Sequence, residues 1–513
     1  MRFPRSSGVL LHPTSLPGAH GSGDLGASAR HFVDWLAAGG QSLWQVLPLG
    51  GIGPGNSPYM SSSAFAGNLL LVDLDELLQR GWLRADDLAQ PPSPADPHRL
   101  DFAAVLPWRM SRLALAAERF QRDASPEDRS AHDAFCTAHA DWLEDHALFM
   151  ALAEAQPGLD WCDWPAPLAR RDSAALADAR RVHAGRIAFW RFGQWCFFRQ
   201  WAALRAYASE RQVRIVGDMP IFIAHQSAEV WARPDLFELD GAGRPTVVAG
   251  VPPDLFAETG QRWGNPLYRW LAHAAEGYRW WIERVRRSFE LVDILRIDHF
   301  RGFAGYWEIP ASEPTAMRGR WVPGPAAALF QAITGALGEL PIIAEDLGVI
   351  TPDVEALRIA FGYPGMRILQ FAWGEGADGG GAETRFLPHQ YLPDCVVYTG
   401  SHDNDTTLGW WQSAPESTRH HLREYLASDG RAPHWDLMRA ASASVADLAI
   451  QPMQDVLGLG SEHRMNFPGT PTGNWSWRFT WDQVPPEAAA RLHRMAALYG
   501  RLPRPVAPAT ANG

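Results

Sequence analysis

The chain reads as an α/β protein, a (β/α)8 TIM barrel with a large, mostly helical insertion after strand 2 and a smaller, loop-rich insertion after strand 3. Three observations predict this. Short β-rich runs recur eight times along the sequence. Helix-period segments lie between most of them, as parallel β/α units require. The fifth to sixth and sixth to seventh runs are only about 25 to 30 residues apart, close to the smallest βαβ repeat.

In chain order the runs are Val9 to Leu11, Leu43 to Leu47, Arg214 to Gly217, Asp293 to Ile297, Pro341 to Ala344, Met366 to Phe371, Cys395 to Thr399 and Leu448 to Gln451. Ala27 to Ala38 is a helix-period segment after the first, and Pro352 to Phe361 one after the fifth. Residues 1–55 then hold strands 1 and 2. Between the second and third runs lie about 165 residues, far more than a connection needs, so 56–210 is an inserted subdomain. It reads as helical: Ser130 to Gln156 and Arg186 to Glu210 carry apolar residues at three- and four-residue intervals, and Trp142, Leu143, Leu148, Phe149 and Leu152 form one stripe. Residues 211–221 hold strand 3, and 222–270 form the loop-rich insertion, centred on Gly250-Val251-Pro252-Pro253-Asp254. Strands 4 to 8 occupy 271–501, and the Pro/Ala-rich 502–513 is a flexible tail. A doubly wound sheet would instead place a glycine fingerprint after the first strand. The dense glycine cluster Leu49 to Tyr59 follows the second run and is broken by prolines, so it does not match.

At 513 residues the chain is twice the roughly 250 of a plain barrel, which leaves room for these insertions. The net charge of -11 comes from dispersed acids, which argues against nucleic acid and favours a neutral or cationic ligand. Cys136, Cys162, Cys196 and Cys395 are widely spaced among apolar residues and read as reduced core thiols. The first residues lead straight into a strand with no apolar signal stretch, and no run reaches the length of a membrane span, so no membrane partner and a cytoplasmic location are expected. Most of the 24 Trp and 23 Phe residues belong to the core; the remainder suit platforms for sugar rings.

Three runs end in a carboxylate: Ile294 to Asp298, Ile342 to Glu345 and Tyr398 to Asp403. In a parallel barrel these acids converge at the C-terminal mouth, where barrel enzymes keep their chemistry. Asp298 lies two residues after Arg296, so both side chains share one face of the strand, and the arginine keeps the carboxylate ionised. A structural ion pair is the alternative. Glu345 follows Ile342-Ile343-Ala344, where desolvation raises a carboxyl pKa as a general acid needs; the alternative is a helix cap, a role that Asp346 fits better. On neighbouring strands, two such carboxylates suit retaining glycosidic-bond chemistry, with Asp403 gripping ring hydroxyls from the opposite side. The run His402-Asp403-Asn404-Asp405 does not suit a metal, because consecutive ligands diverge. There is no GxSxG elbow for a serine hydrolase. No metal and no cofactor is expected.

The sequence resembles the 4-α-glucanotransferases of the amylomaltase (disproportionating enzyme) type, glycoside hydrolase family 77 of the α-amylase clan. The likeness runs from Leu10-Leu11-His12-Pro13-Thr14-Ser15-Leu16-Pro17-Gly18 through Gly217 to Phe222 and Arg262-Trp263-Gly264-Asn265-Pro266 to Arg464 to Arg478. The resemblance implies Asp298 as nucleophile, Glu345 as acid/base and Asp403 as transition-state stabiliser. It implies Arg296, Asp218 and His402 as donor-sugar contacts, Tyr59, Asp254, Trp263 and Asn265 lining neighbouring subsites, His299 and Asn466 as further substrate contacts, and a lid around Asp254 and Phe256. Two positions depart from the family pattern: Met60 stands where Gln is common, and Leu255 where Tyr is common.

The expected activity is therefore retaining transfer of α-1,4-glucan segments between maltooligosaccharides through a covalent glucosyl-aspartate. An α-1,4-glucan hydrolase of the same clan differs only in what attacks the intermediate, and water wins unless the cleft is closed and an acceptor bound. A non-catalytic glucan-binding protein would have lost one of the three carboxylates. All three are present.

Overall fold

A computed structural model describes residues 2–93, 96–253, 257–374 and 384–503. Its twelve strands are β1 (Ser6–Leu10), β2 (Leu43–Gln45), β3 (Arg214–Pro220), β4 (Val247–Val251), β5 (Gln261–Pro266), β6 (Ile294–Asp298), β7 (Gly305–Pro310), β8 (Arg320–Pro323), β9 (Ile342–Ala344), β10 (Gly365–Ile368), β11 (Cys395–Tyr398) and β12 (Leu448–Pro452). Eight of them form one parallel sheet in the order β10-β11-β12-β1-β2-β3-β6-β9. The Ala344 N–H donating to the Pro364 carbonyl at 3.0 Å brings the two edges, β9 and β10, together, so the sheet curls into a barrel. Each of the eight β-rich runs contributes one barrel strand. They read clearly because the barrel strands are buried on both faces: β1, β9, β10, β11 and β12 have no residue open to solvent, which demands continuous apolar runs. Inside the barrel the Tyr398 hydroxyl donates to Gln45 Oε1 at 2.8 Å, satisfying two buried polar groups that would otherwise be costly.

Between β2 and β3 the chain builds a helical subdomain. Its longest helix, Ala184–Glu210, packs on Phe102–Asp123 and Ala140–Ala155. The stripe of Trp142, Leu143, Leu148, Phe149 and Leu152 is buried as its spacing predicts. The segment Ser130 to Gln156 is not one helix, however: it is the end of Pro126–Ala138 and the whole of Ala140–Ala155, parted at His139 (φ -114°, ψ 13°). The first of these starts at Ser125, whose side chain accepts the Asp128 N–H, with Pro126 at the first helical position.

The segment after β3 is rich in loops but also supplies β4 and β5, which the sequence did not reveal. β4 pairs antiparallel with β5 on one edge and with β7 on the other, and β7 with β8, so that strands after β3 and after β6 share a separate sheet ordered β5-β4-β7-β8. A small apolar core of Val248, Ile309 and Ala316 lies against it. Glycines and prolines within these strands, and a register shift between Val248 and Gly250, hide the period-2 signal.

Two further expectations need correction. Cys196 and Cys395 are buried free thiols, but Cys136 and Cys162 are only partly buried, on the inserted subdomain. Asp346 caps no helix. The next helix, Pro352–Ala360, begins after Thr351, whereas Asp346 Oδ1 accepts the Met366 N–H at 2.6 Å. Its carboxylate also meets Arg367 at 3.3 Å, Arg358 at 3.8 Å and Arg385 at 3.9 Å. Three arginines outweigh any cap, and Asp346 pins β9 to β10. No helix among the described residues is long and apolar enough to cross a membrane.

Candidate active site

The C-terminal ends of β3, β6, β9 and β11 bring the candidate residues together. Strand register does the first part: Asp218 on β3 pairs with Arg296 on β6, and Arg296 with Ile343 on β9. Arg296 Nη1 lies 2.6 and 2.8 Å from the two Asp218 oxygens and 3.0 Å from Asp298 Oδ1. One guanidinium thus serves two carboxylates of different character. The Asp218 side chain is wholly buried, while that of Asp298 is 29% exposed at the barrel mouth. The sequence left open whether Asp298 is a structural ion pair or a presented carboxylate. Asp218 fills the structural place, and Asp298 faces the cleft.

Glu345 follows β9 and is 9% exposed. It accepts two backbone N–H groups, from His299 and from Leu347, each at 2.7 Å. Burial and, next, the Asp298 charge push its carboxyl up to about 8, against the pull of Arg296 and the two N–H groups. Burial also raises Asp298, only to about 6, because Arg296 opposes it more directly. The pair is therefore split, with Asp298 ionising first and Glu345 keeping the proton. To reach Glu345, His299 adopts a left-handed backbone (φ 52°, ψ 48°), a conformation that costs free energy outside glycine. Burial lowers the His299 imidazole to about 3, so the ring stays neutral.

From the opposite wall, Asp403 Oδ1 accepts the Asn466 side-chain N–H at 2.6 Å and lies 3.3 Å from His402 Nε2. Arg464 donates to the Asp403 carbonyl at 2.5 Å. Its neighbours point elsewhere: Asn404 Oδ1 accepts from Ser401, and Asp405 Oδ2 from Ser461. Tyr59 bridges the two walls. Its hydroxyl lies 2.8 Å from Asp218 Oδ2 and 2.9 Å from His402 Nε2, and its ring stacks on His402 at 5.3 Å. Burial and Asp218 raise the phenol well above its usual range, so it remains a donor.

Beside Glu345, Trp263 meets the His299 ring edge-on at 4.8 Å. Gly264, at φ 83°, separates Trp263 from Asn265, whose amide N–H points to Met60 Sδ at 3.5 Å. The expected positions Asp254 and Phe256, and the departure at Leu255, lie outside the described residues. Sequence reasoning gave no role to Trp475, although it fell within a quoted motif. Its ring lies 5.6 Å from Tyr59 and 5.9 Å from His402, on a backbone at φ 64° that a bulky residue rarely adopts. Nothing in local spacing announces such a residue.

The family model of the 4-alpha-glucanotransferases, glycoside hydrolase family 77, matches residues 11–483. A 4-alpha-glucanotransferase of Thermus thermophilus is 53% identical over 510 residues, spanning 98% of this chain and 100% of its own. Another, from Synechocystis sp., is 47% identical over 501 residues, 97% and 98% of the two chains. Among solved structures, an amylomaltase from Streptococcus agalactiae in complex with acarbose superposes with a TM-score of 0.93 at 37% identity, over 97% of this chain and 99% of that one. With a matching model over most of its length and full-length relatives of this identity, the chain belongs to the 4-alpha-glucanotransferase family, glycoside hydrolase family 77.

Proposed function

We propose that this chain is a retaining 4-α-glucanotransferase that moves α-1,4-glucan segments between maltooligosaccharides. The observation that carries the mechanism is the split pair on adjacent strands: Asp298 against Arg296, and Glu345 buried and proton-holding beside it. Asp298 attacks the anomeric carbon while Glu345 protonates the departing glycosidic oxygen, leaving a glucosyl-aspartate. Glu345, now ionised, takes a proton from the acceptor hydroxyl, which attacks the same carbon and restores both groups. Asp403, oriented by Asn466 and His402, holds ring hydroxyls as the sugar flattens; His402 and Tyr59 hold the donor ring, with Arg296 and the buried Asp218 behind them. His299, Trp263 and Asn265 form the wall next to Glu345, where the leaving and accepting sugars sit.

The complex of the related amylomaltase with acarbose supports a maltooligosaccharide ligand. Four free cysteines suit a reducing, cytoplasmic setting. Incubation with maltotriose is expected to yield glucose and a ladder of longer maltooligosaccharides by chromatography. Glucose and maltose without longer products would identify a hydrolase, and an unchanged substrate a binding protein.

A further inference from the structure

The wall beside Glu345 ends in a thioether. Met60 follows Tyr59 directly, is half-buried, and its Sδ takes the Asn265 N–H at 3.5 Å. Among the described residues, the Asn265 side chain bonds no other side chain. Sulphur is a weak acceptor, so this contact leaves most of the amide's hydrogen-bonding capacity to a sugar. Of the other methionines among the described residues, Met219, Met366, Met438, Met453 and Met465 are buried, Met110, Met150 and Met495 are partly buried against the apolar core, and Met317 is exposed.

We propose that Met60 is an oxidation site that turns the enzyme from transfer towards hydrolysis. The proposal rests on the transferase reading above and on Asn265 facing the acceptor. In the step, a sulphur lone pair attacks the terminal oxygen of a hydroperoxide, the O–O bond breaks, and the leaving oxygen takes up a proton. The sulphur loses two electrons to become the sulfoxide, and hydrogen peroxide is reduced to water. The new S=O is a strong acceptor set against Asn265 Nδ2, so it captures the amide that the acceptor sugar needs, and it adds a polar atom to the subsite. Among the described residues, Met60 shares no side-chain hydrogen bond with Asp298, Glu345 or Arg296, so the glucosyl-enzyme still forms. With the acceptor bound less well, water takes a larger share of the intermediate.

The test treats the whole protein with hydrogen peroxide and follows three quantities: peptide mass at Met60, the ratio of longer oligosaccharides to net hydrolysis from maltotriose, and recovery with methionine sulfoxide reductases. Expected are a one-oxygen gain on the Met60 peptide, a transfer-to-hydrolysis ratio lower by roughly fivefold or more, and its return after reduction. In Met60→Leu the ratio is expected to resist peroxide. An unoxidised Met60 under conditions that oxidise Met317, an unchanged ratio with Met60 oxidised, or equal sensitivity in Met60→Leu would overturn the proposal. The wild-type peptide map and ratio decide it even if that variant does not fold. Failure of the parent reading looks different: untreated enzyme would make no ladder at all, and this proposal would fall with it.

Discussion

Arg296 is the residue on which the site turns. It offers one charge to two carboxylates, and the wholly buried Asp218 holds it in place for Asp298. Asp298→Asn is expected to lower kcat by roughly 10³-fold or more while maltotriose still binds, as kinetics and calorimetry would show; near-wild-type turnover would exclude the assignment. The split between the two acids sets a pH profile. Asp298 works ionised, so activity falls as pH drops through about 6; Glu345 works protonated, so it falls as pH rises through about 8. A bell in kcat/KM with these limbs is expected. The same shift has a sign for stability. Glu345 holds its proton in the folded state up to about 8 but sheds it near 4.5 when unfolded, so between these values folding stability declines as pH rises. Glu345→Gln, though inactive, should gain in apparent Tm relative to wild type on going from pH 5 to pH 8; a constant difference would count against the shift. At this scale the sequence showed what strand spacing can show. Arg296 and Asp298 meet because they are two residues apart, whereas Asp346 was misread because its three arginines come from positions 358, 367 and 385, beyond the reach of local pattern.

The elements were legible to the degree that they are buried. All eight barrel runs are legible as short β-rich strands that are mostly or wholly buried, and the helix Ala27–Ala38 matches its predicted limits. The β5-β4-β7-β8 sheet is not, since Gly250, Gly264 and Gly305, with Pro266, Pro310 and Pro323 at strand ends, erase alternation and its strands come from two separate segments. Asp346 belongs to this scale as the fastener between β9 and β10. Asp346→Ala leaves three guanidinium groups around a lost charge and is expected to cost about 3–5 kcal/mol, read as a large fall in apparent Tm at fixed scan rate. A change within one degree would show that the edge closes without it.

Across the whole molecule, the two ends of the barrel sequence are tied by two arginines that share carbonyls, Arg5 and Arg501. Arg501 is buried and donates to the carbonyls of Ser6 in β1 and of Ala441, Ser442, Ser444, Ala446 and Asp447 before β12. Arg501→Ala removes six hydrogen bonds, although Arg5 still donates to the carbonyls of Ser442, Ser444 and Ala446, and is expected to destabilise the fold by about 3 kcal/mol, seen as a lower apparent Tm, with the pH limbs of activity in place. Loss of activity at constant Tm would contradict a purely structural role. No local pattern announces this tie, because the acceptors lie 54 to 495 positions away along the chain. The antiparallel sheet carries a further lesson for anyone reshaping the enzyme. Trp263 and Asn265 stand on β5, whose partner β4 pairs on its other edge with β7 from beyond the next barrel strand, so the segment after β3 is not a self-contained cassette. Grafting it from a relative to alter acceptor choice would leave unmatched edges unless the segment after β6 travels with it, and the two are expected to change in concert or not at all.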